Sequence, residues 1–344
     1  MVVKILNTLF THGKFFALTP SSLENRKPSL LQKLHLLLAI LFYGIGVIYS
    51  LHCRKPFYSS LSSVTLLLRL LTDIILYAHI YHSLVAVMLL KRTQWFALAD
   101  KLKQVDGTDR DKHSYVVFVF SQLAYAACAI LISYTWLEAD TLEVLQMFLV
   151  ETLETYTLFF YLPLEYIVLL AILMKYRRQK LLLRKNKHLD KVKCNLLVLK
   201  EAVDVFNDIF GWKILFNISY LVVRSLTFFT LLFNSTLLKF SYKGIASLKN
   251  FAANISMLSL FWIGFIGGAV VCDFVLNEFD KILTVACEIG ISDEVFHRTF
   301  LSSVSNYRPN FTAARFFPIN RSMIFSVLNS FTTFLLVIVQ LRVN

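Results

Sequence analysis

The sequence predicts an all-α, seven-transmembrane helical membrane protein with a cytosolic N-terminus and an extracellular C-terminus. Composition is the first reason: 57% of the 344 residues are hydrophobic, 17% are charged, and the mean hydropathy is +0.62. The second is that long apolar runs recur along the whole chain, while Lys and Arg gather in alternate loops. We therefore expect residues 1–344 to form a single seven-span unit without a separate soluble domain.

Seven apolar segments are each long enough to cross a bilayer core. Their predicted boundaries hold to within a few residues, because the hydropathy pattern changes gradually at the ends of a span. The segments lie at about 34–52, 64–90, 115–134, 147–174, 214–238, 252–272 and 322–341.

Several spans contain charged residues, which are costly in lipid unless they face protein or water. In the second span, Arg69 and Asp73 stand one helical turn apart and are expected to pair. The fourth span begins with Glu151 and Glu154, whose turns can project beyond the lipid. Arg224 lies near the middle of the fifth span and must therefore face protein or water.

Loop charge predicts the orientation. One side of the membrane receives 27 Lys and Arg residues, from the N-terminal segment and the loops at 91–114, 175–213 and 273–321. The other side receives six, and two of these are Arg54 and Lys55. Basic loops stay in the cytosol, so the N-terminus is inside and the C-terminus outside. This is opposite to a G-protein-coupled receptor. It also explains the net charge of +13 through topology, so no nucleic-acid partner is expected.

Two cytosolic stretches are expected to form amphipathic anchor helices, at about 190–213 and 273–300. The first carries an apolar seam at alternating steps of four and three residues, typical of helix packing. One interpretation places these helices on the inner leaflet; the other is a helical platform that joins subunits. The seam residues are Val192, Leu196, Leu199, Val203, Phe206 and Phe210.

The last span combines an uncharged length with a polar stripe. Residues 323–341 contain no charged side chain, and at about 1.5 Å per residue they reach across a bilayer core. Such a stripe favours a partner helix or water, and a pore is one such place. The alternatives are a helix–helix hydrogen bond for Gln340 and a bond from Thr333 to its own helix. The polar residues of the stripe are Ser326, Asn329, Ser330, Thr333 and Gln340, and Leu336 and Val337 fill the gap between them; the expected pore-lining residues are Ser326, Asn329, Thr333, Leu336, Val337 and Gln340.

The same span carries a short motif. Thr333 and Phe334 are followed by five apolar residues and then by Gln340 and Leu341. This resembles the C-terminal signature of insect gustatory receptors, which is Thr-Tyr, five hydrophobic residues and Gln-Phe. Phe334 and Leu341 replace the usual Tyr and Phe.

The resemblance implies a fold and an activity. The gustatory family is similar in fold to insect odorant receptors, which are tetrameric ligand-gated cation channels with the last span around a central pore and cytosolic helices as an anchor. The resemblance thus implies a homo- or hetero-tetramer, a Gln340 ring near the outer mouth, and an apolar gate at Leu336 and Val337. Without a charged ring, weak discrimination among cations is expected.

Ligand and modification residues are expected on the outer side. The resemblance places a small-molecule tastant among the outer halves of the first six spans, in a mostly apolar pocket with a few polar groups. Asn234 begins a glycosylation sequon at the outer end of the fifth span. The named pocket candidates are Arg69, Asp73, Tyr77, Tyr125, Trp136, Glu154, Tyr156 and Trp262.

Two functions from different classes follow. The first is a gustatory chemoreceptor subunit, a ligand-gated non-selective cation channel in the plasma membrane of taste neurons, with a bitter or pheromone-like ligand. The alternative is a non-conducting seven-span receptor or transporter that signals through partner proteins. No catalytic motif or cofactor loop is present in the sequence, and the five cysteines show no CxxC spacing, so no enzyme, cofactor or metal site is expected.

Overall fold

A computed structural model describes residues 2–20, 29–85, 92–105, 112–139, 141–185, 189–237, 244–288 and 294–343. Within these ranges the chain is almost entirely helical, with one short β-hairpin. The elements are α1 (Val2–Phe15), α2 (Leu30–Ser59), α3 (Ser63–Tyr81), α4 (Arg92–Gln104), α5 (Lys112–Ala139), α6 (Thr141–Arg184), α7 (Leu189–Leu237), α8 (Gly244–Glu288), α9 (Glu294–Ser305), β1 (Thr312–Ala313), β2 (Phe317–Pro318) and α10 (Arg321–Val343).

The seven-span architecture is confirmed. In the described part of the chain, seven helices are long and apolar enough to cross a membrane: α2, α3, α5, α6, α7, α8 and α10. Three of them, α6, α7 and α8, have 44, 49 and 45 residues, about twice what a bilayer core requires. These helices therefore extend beyond the apolar layer. We call the end that carries α4 the inner end, following the orientation that loop charge predicts.

Helix α6 is the central helix of the bundle. In its most apolar window 83% of the residues are buried, against 17% in the corresponding windows of α2 and α5. It packs against α8, α5, α7 and α2. Its buried aromatic residues Phe160 and Tyr161 contact neighbouring helices, and the Tyr161 hydroxyl donates to the carbonyl of Leu18, 2.7 Å away. This bond ties the segment after α1 to the bundle core.

The inner ends of α6 and α7 replace most of the loop that hydropathy places at 175–213. Helix α6 continues to Arg184, and α7 begins at Leu189. All six residues of the predicted seam, from Val192 to Phe210, are buried within the subunit itself. Phe210, for example, meets Trp95 of α4 edge to face at 5.3 Å between ring centroids. The seam is thus part of the subunit core, so a contact with lipid or with another subunit requires other faces of α7.

The second expected anchor stretch, 273–300, falls on the end of α8 and the start of α9. Phe279 and Ala286 of α8 are buried there, and Tyr176 of α6 packs edge to face on Phe279 at 6.1 Å. Residues 289–293 lie outside the described part of the chain.

A two-stranded antiparallel hairpin precedes α10 and docks on α7. Thr312 pairs with Pro318, and Ala313 pairs with Phe317. The turn places Ala314 in the left-handed region, at φ 50°. A Cβ added to Gly211 would lie 2.8 Å from the Ala314 amide nitrogen. Glycine at position 211 therefore lets the hairpin backbone lie directly against the helix.

Candidate ligand pocket and pore helix

A buried network of charges joins α2, α3, α6, α7 and α8. Arg54 Nη1 lies 2.9 Å from Asp73 Oδ1, and Tyr58 donates its hydroxyl to Asp73 Oδ2 at 2.5 Å. Arg69 forms an ion pair with Glu151 and lies 3.6 Å from Asp73. The predicted pairing of Arg69 with Asp73 is therefore one part of a larger arrangement.

Glu151 occupies the centre of this charge network. Its Oε1 lies 3.4 Å from Nη1 of Arg224, and its Oε2 lies 3.6 Å from Nη2 of Arg54 and accepts a hydrogen bond from Arg69. Arg224 also donates to Oδ1 of Asn254 at 3.3 Å. Three guanidinium groups thus converge on one carboxylate. Buried charges are tolerated only when they are paired in this way.

The network corrects one expectation and extends another. Glu151 and Glu154 are buried within the protein, at 5% and 0% exposed, and Glu151 is neutralised there by its guanidinium partners. Arg54 is not a loop residue. Helix α2 continues to Ser59, and Arg54 is fully buried, with its guanidinium 5.3 Å from the centre of the Phe148 ring. One charge of the smaller loop count therefore belongs to the protein interior.

A small cavity adjoins the network between α5, α6, α7 and α8. Its volume is about 30 Å³, room for one or two water molecules. Glu151 and Arg224 form its charged wall. Tyr125 closes it on the α5 side and donates its hydroxyl to the Thr152 carbonyl at 2.8 Å. The lining residues are Tyr125, Ala129, Ile132, Glu151, Thr152, Thr155, Tyr220, Arg224 and Met257.

The predicted pocket residues fall into different places. Tyr125 lines the cavity, while Arg69 and Asp73 belong to the charge network beside it. Tyr156 donates to Oε1 of Gln122 at 3.0 Å, and the Trp262 indole nitrogen lies 3.3 Å from Ser225 Oγ. These two side chains support helix contacts rather than the cavity wall.

Two other candidates lie in the interior near α2 and α3. Both carboxylate oxygens of Glu154 and the hydroxyl of Tyr77 are buried without a hydrogen-bond partner among the described residues. Buried polar atoms in native proteins nearly always have partners, so these mark a place where water or a polar ligand group fits. The side chain of Trp136 lies outside the described part of the chain.

Sequence reasoning did not name Thr152, Thr155, Tyr220 and Met257 of the cavity wall. The two threonines lie within one turn of Glu151 on α6, and Tyr220 lies one turn before Arg224 on α7. For Thr155 and Tyr220 the useful signal was the charged residue inside the apolar span together with its i±4 neighbour. No such signal points to Thr152 or Met257.

Helix α10 packs against the subunit along one side. Met323, Ile324 and Ile338 are buried, and only 6% of the residues in its most apolar window are buried. The six expected pore-lining residues are all exposed, with Leu336 and Val337 at 58% and 44%. At about 100° per residue, Asn329, Thr333, Leu336 and Gln340 lie on the side of the helix away from the buried residues. Ser326 borders a groove between α10 and α7.

Exposure alone does not distinguish the stripe, because Phe325 and Phe334 are exposed too, at 71% and 56%. Phe325 and Phe334 are nine residues apart and therefore lie on opposite sides of the helix. The distinction is chemical: Ser326, Asn329, Thr333 and Gln340 bring polar groups to one part of the exposed surface. Thr333 donates its hydroxyl to the Asn329 carbonyl at 2.9 Å, so the expected bond to its own helix is present. The side chains of Leu341 and of the sequon residue Asn234 lie outside the described set.

Comparisons with known proteins agree with this architecture. A family model described as 7tm chemosensory receptor matches residues 6–343, whereas no curated protein matches the sequence. The solved structure of the insect olfactory receptor OR5 from Machilis hrabei is similar to this chain, with a TM-score of 0.68 at 11% identity and 98% of each chain covered.

The structure of that receptor in complex with eugenol gives a TM-score of 0.64 at 11% identity, covering 98% of this chain and 97% of the receptor. At this identity the structural likeness shows the fold alone. The family match, in contrast, spans nearly the whole sequence and confirms the resemblance to insect chemoreceptors. The chain belongs to the 7tm chemosensory receptor family.

Proposed function

We propose that this chemosensory receptor is a gustatory-type subunit of a ligand-gated, non-selective cation channel in the plasma membrane of taste neurons. The observation that carries the proposal is the polar stripe of α10, whose six expected pore-lining residues are all exposed in the subunit. A polar stripe on a membrane helix requires water or a polar partner. If four identical or related subunits place this stripe around a common axis, the stripe lines a water-filled pore.

The order of residues along the stripe supports a pore with one narrow apolar section. In this arrangement four copies of Gln340 form a polar ring near the outer mouth. Leu336 and Val337 follow one turn below and close the path by excluding water. Thr333 and Asn329 line the conduit beyond them. No charged side chain lies on the stripe, so the pore would select cations only weakly.

The ligand pocket is proposed to be the cavity between α5, α6, α7 and α8. Tyr125 and Tyr220 supply aromatic walls, and Thr155 supplies a hydroxyl. A volume of about 30 Å³ is far below that of a small organic molecule. Ligand entry must separate these helices, and this couples binding free energy to a change in helix packing. Eugenol, which the similar receptor OR5 binds, is a suitable first probe beside bitter compounds.

The pore assignment is tested by whole-cell recording from cells that express the full chain. Val337→Ala widens the apolar section and is expected to raise the current without ligand, and Gln340→Ala is expected to change conductance or relative permeability. Thr333→Val has a matched control in Thr332→Val, because both hydroxyls donate to their own helix at 2.9 Å but only Thr333 lies on the stripe. If Thr332→Val and Thr333→Val alter the current equally, the proposed pore face is wrong.

The pocket assignment is tested with a matched pair of threonines on α6. Thr155 lines the cavity, whereas Thr157 is buried elsewhere and donates to the Glu154 carbonyl at 2.7 Å. Thr155→Val is expected to shift the half-maximal ligand concentration, and Thr157→Val is expected to leave it unchanged. A shift from Thr157→Val alone would contradict the placement of the ligand.

Orientation and mechanism can be separated by a tag placed after Asn344. Antibody access in intact cells is expected, because the predicted C-terminus is extracellular. Access only after permeabilisation, with surface delivery confirmed, would overturn both the orientation and the Gln340 ring. Correct orientation with ligand binding but no current would instead favour the non-conducting receptor or transporter.

A further inference from the structure

A second, larger groove lies at the inner end of the molecule and is lined by none of the residues of the proposed ligand pocket. It is bordered by α1, the segment after α1, the start of α2 and the start of α4, and its volume is about 630 Å³. Its lining combines the basic side chains of Lys14, His35 and Arg92 and several hydroxyl groups with the leucines Leu31, Leu34 and Leu38.

The polar part of the groove carries positive charge. Lys14 and His35 are exposed, whereas Arg92 is only 6% exposed. Burial lowers the pKa of the Arg92 guanidinium, as expected for a cation that has lost hydration. Among the described residues that line the groove there is no Asp or Glu. An anion is therefore the complementary occupant of this part.

The positions of these basic groups are fixed by local contacts. Arg92 donates from Nη2 to Oε1 of Gln32 at 3.2 Å, which links α4 to the first turn of α2. The His35 ring nitrogen Nε2 lies 3.1 Å from the Lys14 carbonyl, which links α2 to α1. The start of α2 is closed by a capping box between Ser29 and Gln32. The positive character of the groove thus comes from side chains and does not depend on free backbone amides of α2.

The apolar part of the groove continues onto the membrane face of α2. Leu31, Leu34 and Leu38 are 75%, 51% and 55% exposed within a helix that is apolar enough to span the bilayer. Exposed leucines near the start of a spanning helix are suited to contact lipid chains. The groove therefore offers basic groups and apolar surface together, the combination that an anionic amphiphile requires.

We propose that this groove binds one anionic phospholipid of the adjacent leaflet, with its phosphate near Lys14 and Arg92 and its acyl chains along the leucines of α2. A soluble phosphate would use only the cationic part, whereas a phospholipid uses both parts. By the predicted orientation the leaflet is the cytosolic one, which is rich in anionic lipids. The proposal depends on membrane insertion and is independent of channel activity.

The test uses the full-length protein in detergent, titrated with phosphatidylserine or phosphatidylcholine and examined by native mass spectrometry. The parent protein is expected to retain phosphatidylserine in preference to phosphatidylcholine. Lys14→Gln and Arg92→Gln are each expected to weaken retention about fivefold, the usual effect of one basic residue near an anionic lipid. Lys103→Gln is the matched control, because Lys103 is exposed on α4 but does not line the groove.

Equal retention of the two lipids by the parent would overturn the proposal. So would unchanged phosphatidylserine retention in Lys14→Gln, a variant that keeps the fold because Lys14 is exposed. Competition by inorganic phosphate at the same concentration as lipid would show a free-anion site and would overturn the role of the leucines.

Discussion

Replacing Glu151 by Gln removes one negative charge from the centre of the buried network while keeping the size and shape of the side chain. In the parent, three guanidinium groups surround this carboxylate. Its oxygens lie 3.6 Å from a nitrogen of Arg54 and 3.4 Å from a nitrogen of Arg224, and it forms an ion pair with Arg69. After the change, Asp73 still pairs with Arg54 and Arg69, whereas Arg224 loses its carboxylate partner and keeps the bond to Asn254.

The expected cost follows from burial. Removing one partner of a buried ion pair typically costs about 3–5 kcal/mol, because an uncompensated charge stays in the interior. An exposed pair is worth only about 0.2–1 kcal/mol. Glu201, whose side chain is 45% exposed and pairs with Lys101, provides the matched control as Glu201→Gln. The two changes are chemically identical and differ only in their surroundings.

The assay is thermal unfolding in detergent, monitored by the loss of the folded peak in size-exclusion chromatography. Glu151→Gln is expected to melt well below the parent, and Glu201→Gln close to it. Adding Arg224→Gln to Glu151→Gln removes one excess positive charge and is expected to recover part of the loss, since residues in one network are not additive. A melting temperature for Glu151→Gln as high as that of Glu201→Gln would refute the stabilising role of the network.

Two further predictions concern the contact between the hairpin and α7. Gly211→Ala is expected to lower the free energy of unfolding by about 1–3 kcal/mol through overpacking, because the added methyl lies 2.8 Å from the backbone of Ala314. Gly267→Ala is the control, since its added methyl has ordinary contact distances. Equal melting temperatures for the two variants would contradict the clash. Asn207 donates to the backbone of residue 310 at 2.6 Å and accepts from that of residue 312 at 3.0 Å. Asn207→Ala is expected to speed tryptic cleavage after Arg315, with Asn207→Asp intermediate because it keeps the acceptor; an unchanged cleavage rate in Asn207→Ala would show that the hairpin is held by other contacts.

The membrane architecture could be predicted from the sequence because it depends on local composition. Each span is a continuous apolar run, and a run of that length has few alternatives to a membrane helix. The polar stripe of α10 could also be predicted from the sequence, since helical periodicity determines which residues share a face. The stripe is exposed in the structure because α10 contacts its own subunit through other residues, such as Ile338.

The charge network shows where this reasoning stops. Arg69 and Asp73 were paired from their spacing, and they do lie 3.6 Å apart, but Arg69 lies closest to Glu151, 82 residues further along the chain. Local spacing does not encode such a contact. Arg54 was placed in a loop because hydropathy falls near residue 53, although the helix continues while its charged side chain turns inward.

The seam of α7 shows the same limit in another form. Periodicity correctly predicts a helix with an apolar face, because the repeat is local. What covers that face depends on the tertiary arrangement, and here Trp95 and Phe311 of the same subunit cover Phe210 and Phe206. A lipid surface or a second subunit would have satisfied the same pattern. Periodicity therefore identifies a buried face without identifying its partner.

Helix α7 joins the two parts of the proposed mechanism. On one face, Tyr220 and Arg224 line the cavity; on another, Leu226 packs with Ile338 of α10. A ligand that separates α7 from α5 and α6 must therefore act on the surface against which α10 rests. Packed helices shift between discrete arrangements rather than deforming continuously. If the proposed function holds, the position of α7 is the variable that ligand and pore share, and by linkage an open pore must bind the ligand more tightly than a closed one.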